Sequence, residues 1–181
     1  MDKVTLDLNY TEDEVVSAQR MRFLHTSRPK IIVVIGVVGV ILLTVGNVYL
    51  GRIEGRAPRW YAPIEAAVIL LGFVGFSYFY VPKFDFRNNL VWKSHYKLTL
   101  AHNGMGLVAE GKSKRFELEW SRINRVLEND KAFVVQFGRE KDYIILPRRV
   151  LEMGGQLDFV RQVLQGNNSL TWKTANTQPR H

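Results

Sequence analysis

From Ile31 to Leu50 the chain runs for twenty residues without a charge, and Val, Ile and Leu dominate the run. A helix of that length covers roughly 30 Å at 1.5 Å per residue, the thickness of a hydrocarbon core. In lipid the backbone must satisfy its own hydrogen bonds, so such a segment has to be helical. A second apolar run, Ala62 to Val81, carries one charge, Glu65. Pro63 suits the first turn of a helix, where its missing N–H costs nothing, and Pro82 closes the run. Trp60 and Tyr61 at one end, and Tyr78 and Tyr80 near the other, are the aromatics that favour a membrane interface. The link between the runs, 51–60, is too short for anything but a tight turn. The expected architecture is therefore an antiparallel transmembrane hairpin over residues 31–82. Thirty residues, several of them acidic, precede the first run, and no small-residue cleavage site follows it, which argues against a signal peptide.

Orientation follows from basic residues near the ends of the runs. Arg20, Arg22, Arg28 and Lys30 flank the first, and Lys83, Arg87, Lys93 and Lys97 follow the second. The link holds only Arg52, Arg56 and Arg59. Both tails are thus expected in the cytoplasm. Counting residues from the cytoplasmic side places Gly36 and Gly39 level with Gly75 and Gly72, which predicts close packing of the two helices there. The same count pairs Asn47 with Glu65 as an intramembrane polar couple, with a hydrogen bond or reach toward Arg59 as the structural reading.

The net charge of +8 is uneven: residues 1–30 sum to zero, 31–82 to +1 and 83–181 to +7. A basic domain beside a membrane can meet anionic headgroups, and Lys112, Lys114, Arg115, Arg148 and Arg149 are the candidate contacts. Acidic residues interrupt the basic ones and no nucleic-acid motif accompanies them, so no nucleic-acid partner is expected. The chain has no cysteine, which excludes disulfides and thiolate chemistry.

Ahead of the first run, Val4, Leu6 and Leu8 alternate with polar residues, a strand signal. Thr11 followed by Glu14 forms a capping box for a helix that places Val15, Ala18, Met21, Arg22 and His25 along one side. Beyond the second run the period becomes two. Strands are predicted around Leu98–Leu100, Leu107–Val108, Phe116–Trp120, Ile123–Leu127, Phe133–Phe137 and Tyr143–Leu146, with Phe116, Leu118 and Trp120 facing one way. A helical stripe of Leu157, Val160, Val163 and Leu164 closes the unit. Residues 167–181 are polar and aperiodic, and disorder is expected there. The fold class expected is membrane α+β. A two-helix hairpin would be joined to a small antiparallel sheet or barrel, 93–166, with a C-terminal helix and a pleckstrin-homology-like shape. The lone N-terminal strand needs an edge to pair with, so it is expected to join the later sheet.

No catalytic constellation stands out. His25, His95, His102 and His181 are scattered without metal-ligand spacing. Gly104-Met-Gly106 lacks the helix and Lys-Ser/Thr of a phosphate loop, so it reads as a hairpin turn. Ser94, His95 and Ser113 have no acid at a telling distance. Glu117 and Glu119 read as an exposed sheet face. Neither enzyme activity nor a cofactor is expected.

The segment Trp120-Ser-Arg-Ile123, then Val126, Phe133-Val-Val-Gln-Phe137 and Tyr143-Ile-Ile-Leu-Pro147-Arg-Arg149, closed by an amphipathic helix, resembles the YcxB-like family of bacterial membrane proteins. The preceding strand, helix and apolar pair look like that family too. The resemblance implies a bacterial inner-membrane protein with a cytoplasmic pleckstrin-homology-like domain, and it implies no catalytic residues. Trp120, Ile123 and Pro147 carry over as fold determinants. Two functions are expected to compete. One is a non-enzymatic module that binds a protein partner, a second copy or anionic lipid. The other is an accessory subunit of a membrane enzyme or transporter.

Overall fold

Reciprocal capping starts the first helix. The Thr11 hydroxyl accepts from the Glu14 N–H at 3.4 Å, and a Glu14 carboxylate oxygen accepts from the Thr11 N–H at 2.9 Å. This is the box that the sequence predicts. A computed structural model describes residues 3–111, 115–139, 141–166 and 171–174, with only the main chain at 28 and 171–174. Two units emerge: Met1–Arg22 with Pro82–His181, and Phe23–Val81.

The first unit is α+β. Strand β1 (Val4–Leu8) leads through the capped turn into α1 (Glu12–His25), whose last turn passes into the second unit. The chain returns as α4 (Val81–Asn88) and α5 (Leu90–Lys93), then forms β2 (Tyr96–Ala101), β3 (Gly104–Ala109) and β4 (Arg115–Glu119). A 3-10 turn, Trp120–Arg122, carries it into β5 (Ile123–Glu128), β6 (Ala132–Phe137) and β7 (Tyr143–Pro147). Helices α6 (Arg148–Met153) and α7 (Leu157–Gln165) and strand β8 (Thr171–Thr174) complete it.

Two four-stranded sheets result, ordered β1-β2-β3-β4 and β7-β6-β5-β8. The N-terminal strand does join the later sheet: β1 pairs antiparallel with β2, from Val4 opposite Leu100 to Leu8 opposite Tyr96. Close passage of β1 over the α6 end explains a glycine. A Cβ on Gly154 would collide with the Leu6 side chain, so a larger residue there would have to turn Leu6 aside.

The two sheets bury their residues differently. In β2 only alternate residues, Leu98 and Leu100, are buried, as in a sheet with one wet face. In β6 five consecutive residues from Ala132 to Gln136 are buried. Phe133 and Val135 enter a core shared with Leu98, Leu100, Leu118 and α7, while Ala132 and Val134 enter a second core with Val15, Ala18, Met21 and Trp92. The second sheet is therefore a middle layer, and its runs Ala-Phe-Val-Val and Tyr-Ile-Ile-Leu are continuously apolar for that reason.

Several details depart from the sequence reading. Leu118 and Trp120 are buried, but Phe116 stays exposed and meets the Phe137 ring at 5.3 Å. Trp120 lies in the 3-10 turn after β4, not in the strand. The expected disorder at 167–181 is corrected at Thr171–Thr174, which pair parallel with β5; the main chain supplies that edge whatever the side chains. The rest of that stretch lies outside the described residues. Helices α4, α5 and α6 had no periodic signal long enough to announce them. Pro82 ends one helix and stands in the first turn of the next, since α4 starts at Val81.

The second unit holds α2 (Ser27–Ile53) and α3 (Tyr61–Phe79). Both are long and apolar enough to cross a membrane, α2 over Pro29–Ile53. Almost none of either apolar window is buried. Pro29 is tolerated because it falls in the first turn of α2. The register between the helices is fixed at the link. The Asn47 amide donates to the Arg59 carbonyl at 2.6 Å and accepts from the Arg59 N–H at 3.1 Å. Further along, a Cβ on Gly36 would strike the Leu70 side chain.

That register overturns both depth-matched pairings. Gly36 meets Leu70, while Gly39, Gly72 and Gly75 face open space. Asn47 binds the Arg59 main chain, and among the described residues Glu65 is exposed with neither hydrogen bond nor ion pair. The offset is about one and a half helical turns. Counting from the run ends assumed that the ends are level, whereas the Asn47 clamp sets the register.

Candidate functional site

Helices α1, α4 and α5 form a clamp over the outer face of the second sheet. Asp85 is its polar centre. Its carboxylate accepts from Gln19 Nε2 at 2.6 Å, Trp92 Nε1 at 2.7 Å and Asn89 Nδ2 at 3.4 Å. Asn89 also caps α5, its side-chain oxygen accepting from the Val91 N–H at 3.1 Å. The Tyr10 ring meets Trp92 edge-on at 5.3 Å, and its hydroxyl donates to the Ile145 carbonyl at 3.1 Å. Burial pushes the Tyr10 phenol well above its ordinary range, with nearby Tyr96, Tyr143 and Glu14 adding to the effect. The Arg22 guanidinium lies 4.0 Å from the Tyr143 ring centre. Burial raises the Tyr143 phenol, and the positive charge of Arg22 works against that rise. Both chain connections to the apolar helices, through α1 and α4, leave from this clamp.

The basic candidates are held in separate places. Arg115 lies on β4, 3.0 Å from Glu117. Arg148 opens α6 and pairs with Glu152 at 2.6 Å. Arg149 reaches the buried Glu14 at 3.0 Å and also donates to the Asn9 carbonyl at 3.2 Å. Lys112 and Lys114 lie outside the described residues. Elsewhere Arg161 pairs with Glu128, and Lys131 with Asp13. Each described candidate thus faces a carboxylate, and Arg149 is spent on tying α1 to α6. Glu117 and Glu152 lie near Arg115 and Arg148 in the sequence, whereas the partner of Arg149 is 135 positions away and no short stretch of sequence announces it.

Of the fold determinants, Trp120 and Ile123 are buried in the larger core, and the Trp120 indole donates to the Ala101 carbonyl at 3.0 Å. Pro147 is the last residue of β7 and caps α6 in an extended conformation. His102 lines an open groove of about 960 Å³ beside α7. Trp120 and Ser121 form one wall, and Asp158, Phe159 and Val163 the other. Sequence reasoning found Trp120 and Val163 as core residues without seeing the groove. Among the described residues no group of three or more His, Asp or Glu could hold a metal ion.

The groove lining mixes apolar Trp120, Phe159 and Val163 with polar His102, Ser121, Asp158 and Gln162. No curated protein and no solved structure matches the chain. The motif that carried the resemblance falls in the strands and helix around this groove, and there the likeness holds: residues 105–164, from β3 through α7, match the family described as YcxB-like protein.

Proposed function

We propose that this chain is a non-enzymatic protein of a bacterial cytoplasmic membrane that presents a docking module for a protein partner. In this reading α2 and α3 cross the bilayer as an antiparallel hairpin, with both tails in the cytoplasm. The carrying observation is that the apolar side chains of α2 and α3 stay exposed, while the strand-rich unit fills its own cores. So much contiguous apolar surface calls for lipid or protein cover. A pleckstrin-homology-like shape is supported by the two antiparallel three-strand meanders β2–β4 and β5–β7, followed by α7 with Val160 and Leu164 in the core. Protein is favoured over lipid as the module's ligand because Arg115, Arg148 and Arg149 are engaged with carboxylates, whereas the α7 groove sets Trp120, Phe159 and Val163 among polar side chains.

Two measurements on the full chain test this reading. The protein has no cysteine, so an introduced one is unique. Arg56→Cys should react with an impermeant maleimide in intact cells, and Gln165→Cys only after lysis. The reverse pattern would overturn the orientation, and release by alkaline carbonate would overturn the anchoring. A photo-crosslinker at Val163 should give one protein adduct that Phe159→Glu abolishes. An adduct indifferent to Phe159→Glu would remove the groove from the proposal.

The accessory-subunit reading draws on Gly39, Gly72 and Gly75, whose open faces would admit a helix of another chain at close range. Gly72→Leu should then break a complex that survives Ile69→Leu, at a position that is already exposed and bulky.

A further inference from the structure

We infer that the α4–α5 elbow is an interfacial anchor, seated on an anionic leaflet by Phe84, Leu90 and Val91. The inference rests on the membrane reading above and adds a second contact with the bilayer outside the spans.

The elbow has two faces. Pro82, Asp85, Phe86 and Trp92 point inward, where Asp85 holds Gln19 and Trp92, and Phe86 packs on the smaller core. Phe84, Leu90 and Val91 point outward, at 63%, 77% and 49% exposure. The strand-rich unit otherwise keeps large apolar residues inside. Among the described residues its other exposed ones, Phe116 and Met153, lie on separate elements. Three in one short elbow is therefore a local feature, not a general looseness of packing.

Charge and chain continuity name the occupant. Lys83, Arg87 and Lys93 are exposed on the same elbow, and Asp85, its single acid, is turned inward. Glu12 approaches Arg87 only to 3.9 Å. An apolar face bordered by lysine and arginine is the pattern of a helix lying in the headgroup region of an anionic membrane. The elbow also follows the second apolar helix directly: α3 ends at Phe79 and α4 starts at Val81. Phe84 can stand no more than about 18 Å from the end of α3, even with the intervening chain fully extended. A protein ligand free in solution would need no such tether, whereas a leaflet is held within reach of this face at all times.

Full-length protein in vesicles of phosphatidylcholine and phosphatidylglycerol provides the test. Single cysteines replace Phe84 or Leu90 and carry a polarity-sensitive fluorophore. Met153→Cys, on an exposed site, is the aqueous reference, and Leu42→Cys, on α2, is the reference for the spans. Labels at 84 and 90 should be quenched by lipids carrying a nitroxide near the headgroup. Their quenching by aqueous acrylamide should be about threefold weaker than at 153. Replacing the anionic lipid with neutral lipid should raise acrylamide access at 90 about twofold.

Acrylamide access at 84 and 90 equal to that at 153, with Leu42→Cys still quenched by lipid, would overturn the anchor and leave the spans standing. Lipid-independent shielding at 84 and 90 would mean that protein covers the elbow, which also overturns it. Loss of lipid quenching at 42 would overturn the membrane reading itself.

Discussion

The strand-rich unit and the helix pair solve the same problem, the placing of apolar side chains, in opposite ways. The first folds a middle sheet between two cores and hides nearly all of its large apolar residues. The second leaves most of them on the outside and joins its helices through a few contacts at one register. Burial in the first unit is decided by the chain itself. In the second it depends on what surrounds the helices. The stability of each should therefore answer to different substitutions.

The largest expected effect is in the middle layer. Phe133→Ala removes a fully buried ring from between sheet and helix and should cost about 3–5 kcal/mol, read from denaturant unfolding followed by tryptophan fluorescence. Leu42→Ala, on an exposed site of α2, should change stability by less than about 0.5 kcal/mol. Equal losses at both positions would erase the contrast.

Next comes the tie between α1 and α6. Arg149→Met strands the buried Glu14 carboxylate, which keeps only its bond from the Thr11 N–H. A loss of about 2 kcal/mol is expected in the same assay. A neutral outcome would mean that water replaces the guanidinium without cost. A smaller effect belongs to the helix pair. Gly36→Leu forces Leu70 aside and should destabilise the pair by about 1–2 kcal/mol, whereas Gly39→Ala should be tolerated. Distances between spin labels on α2 and α3 would separate the two, and equal distances in both variants would count against the Gly36–Leu70 register.

The smallest effect concerns Asp13 and Lys131, both on the surface. The Lys131 ammonium holds the Asp13 carboxyl below its ordinary value of 3.8. A depressed carboxyl stabilises the fold above that value, and the contribution is lost as pH falls through the lower folded value. The difference in melting temperature between the parent and Asp13→Asn should thus shrink as pH drops below 3.8. A difference unchanged at acid pH would show that the pair contributes nothing.

Elements whose cause is local could be read from the chain. Thr11 and Glu14 announce α1 because both bonds of the box close within four residues. Leu98 and Leu100 announce β2 because a sheet with one wet face repeats every two residues. Helices α4 and α5 escaped because Val81–Asn88 and Leu90–Lys93 are too short to show a period. Their form depends on Asp85 receiving Gln19 from α1, 66 positions away. The groove escaped for a similar reason: its walls come from the 3-10 turn and α7, and neither half is a motif.

By itself the sequence determined that two long apolar helices exist, that a strand-rich unit with a closing helix follows them, and that β1 would seek a partner. Hydropathy and side-chain period act over a few residues, so these outcomes are written locally. Only the tertiary structure decided the helix-pair register through Asn47 and Arg59, the burial of β6 on both faces, and the union of Glu14 with Arg149 across 135 positions. Such pairings are settled by which surfaces meet when the chain closes on itself, and no short stretch of sequence carries that information.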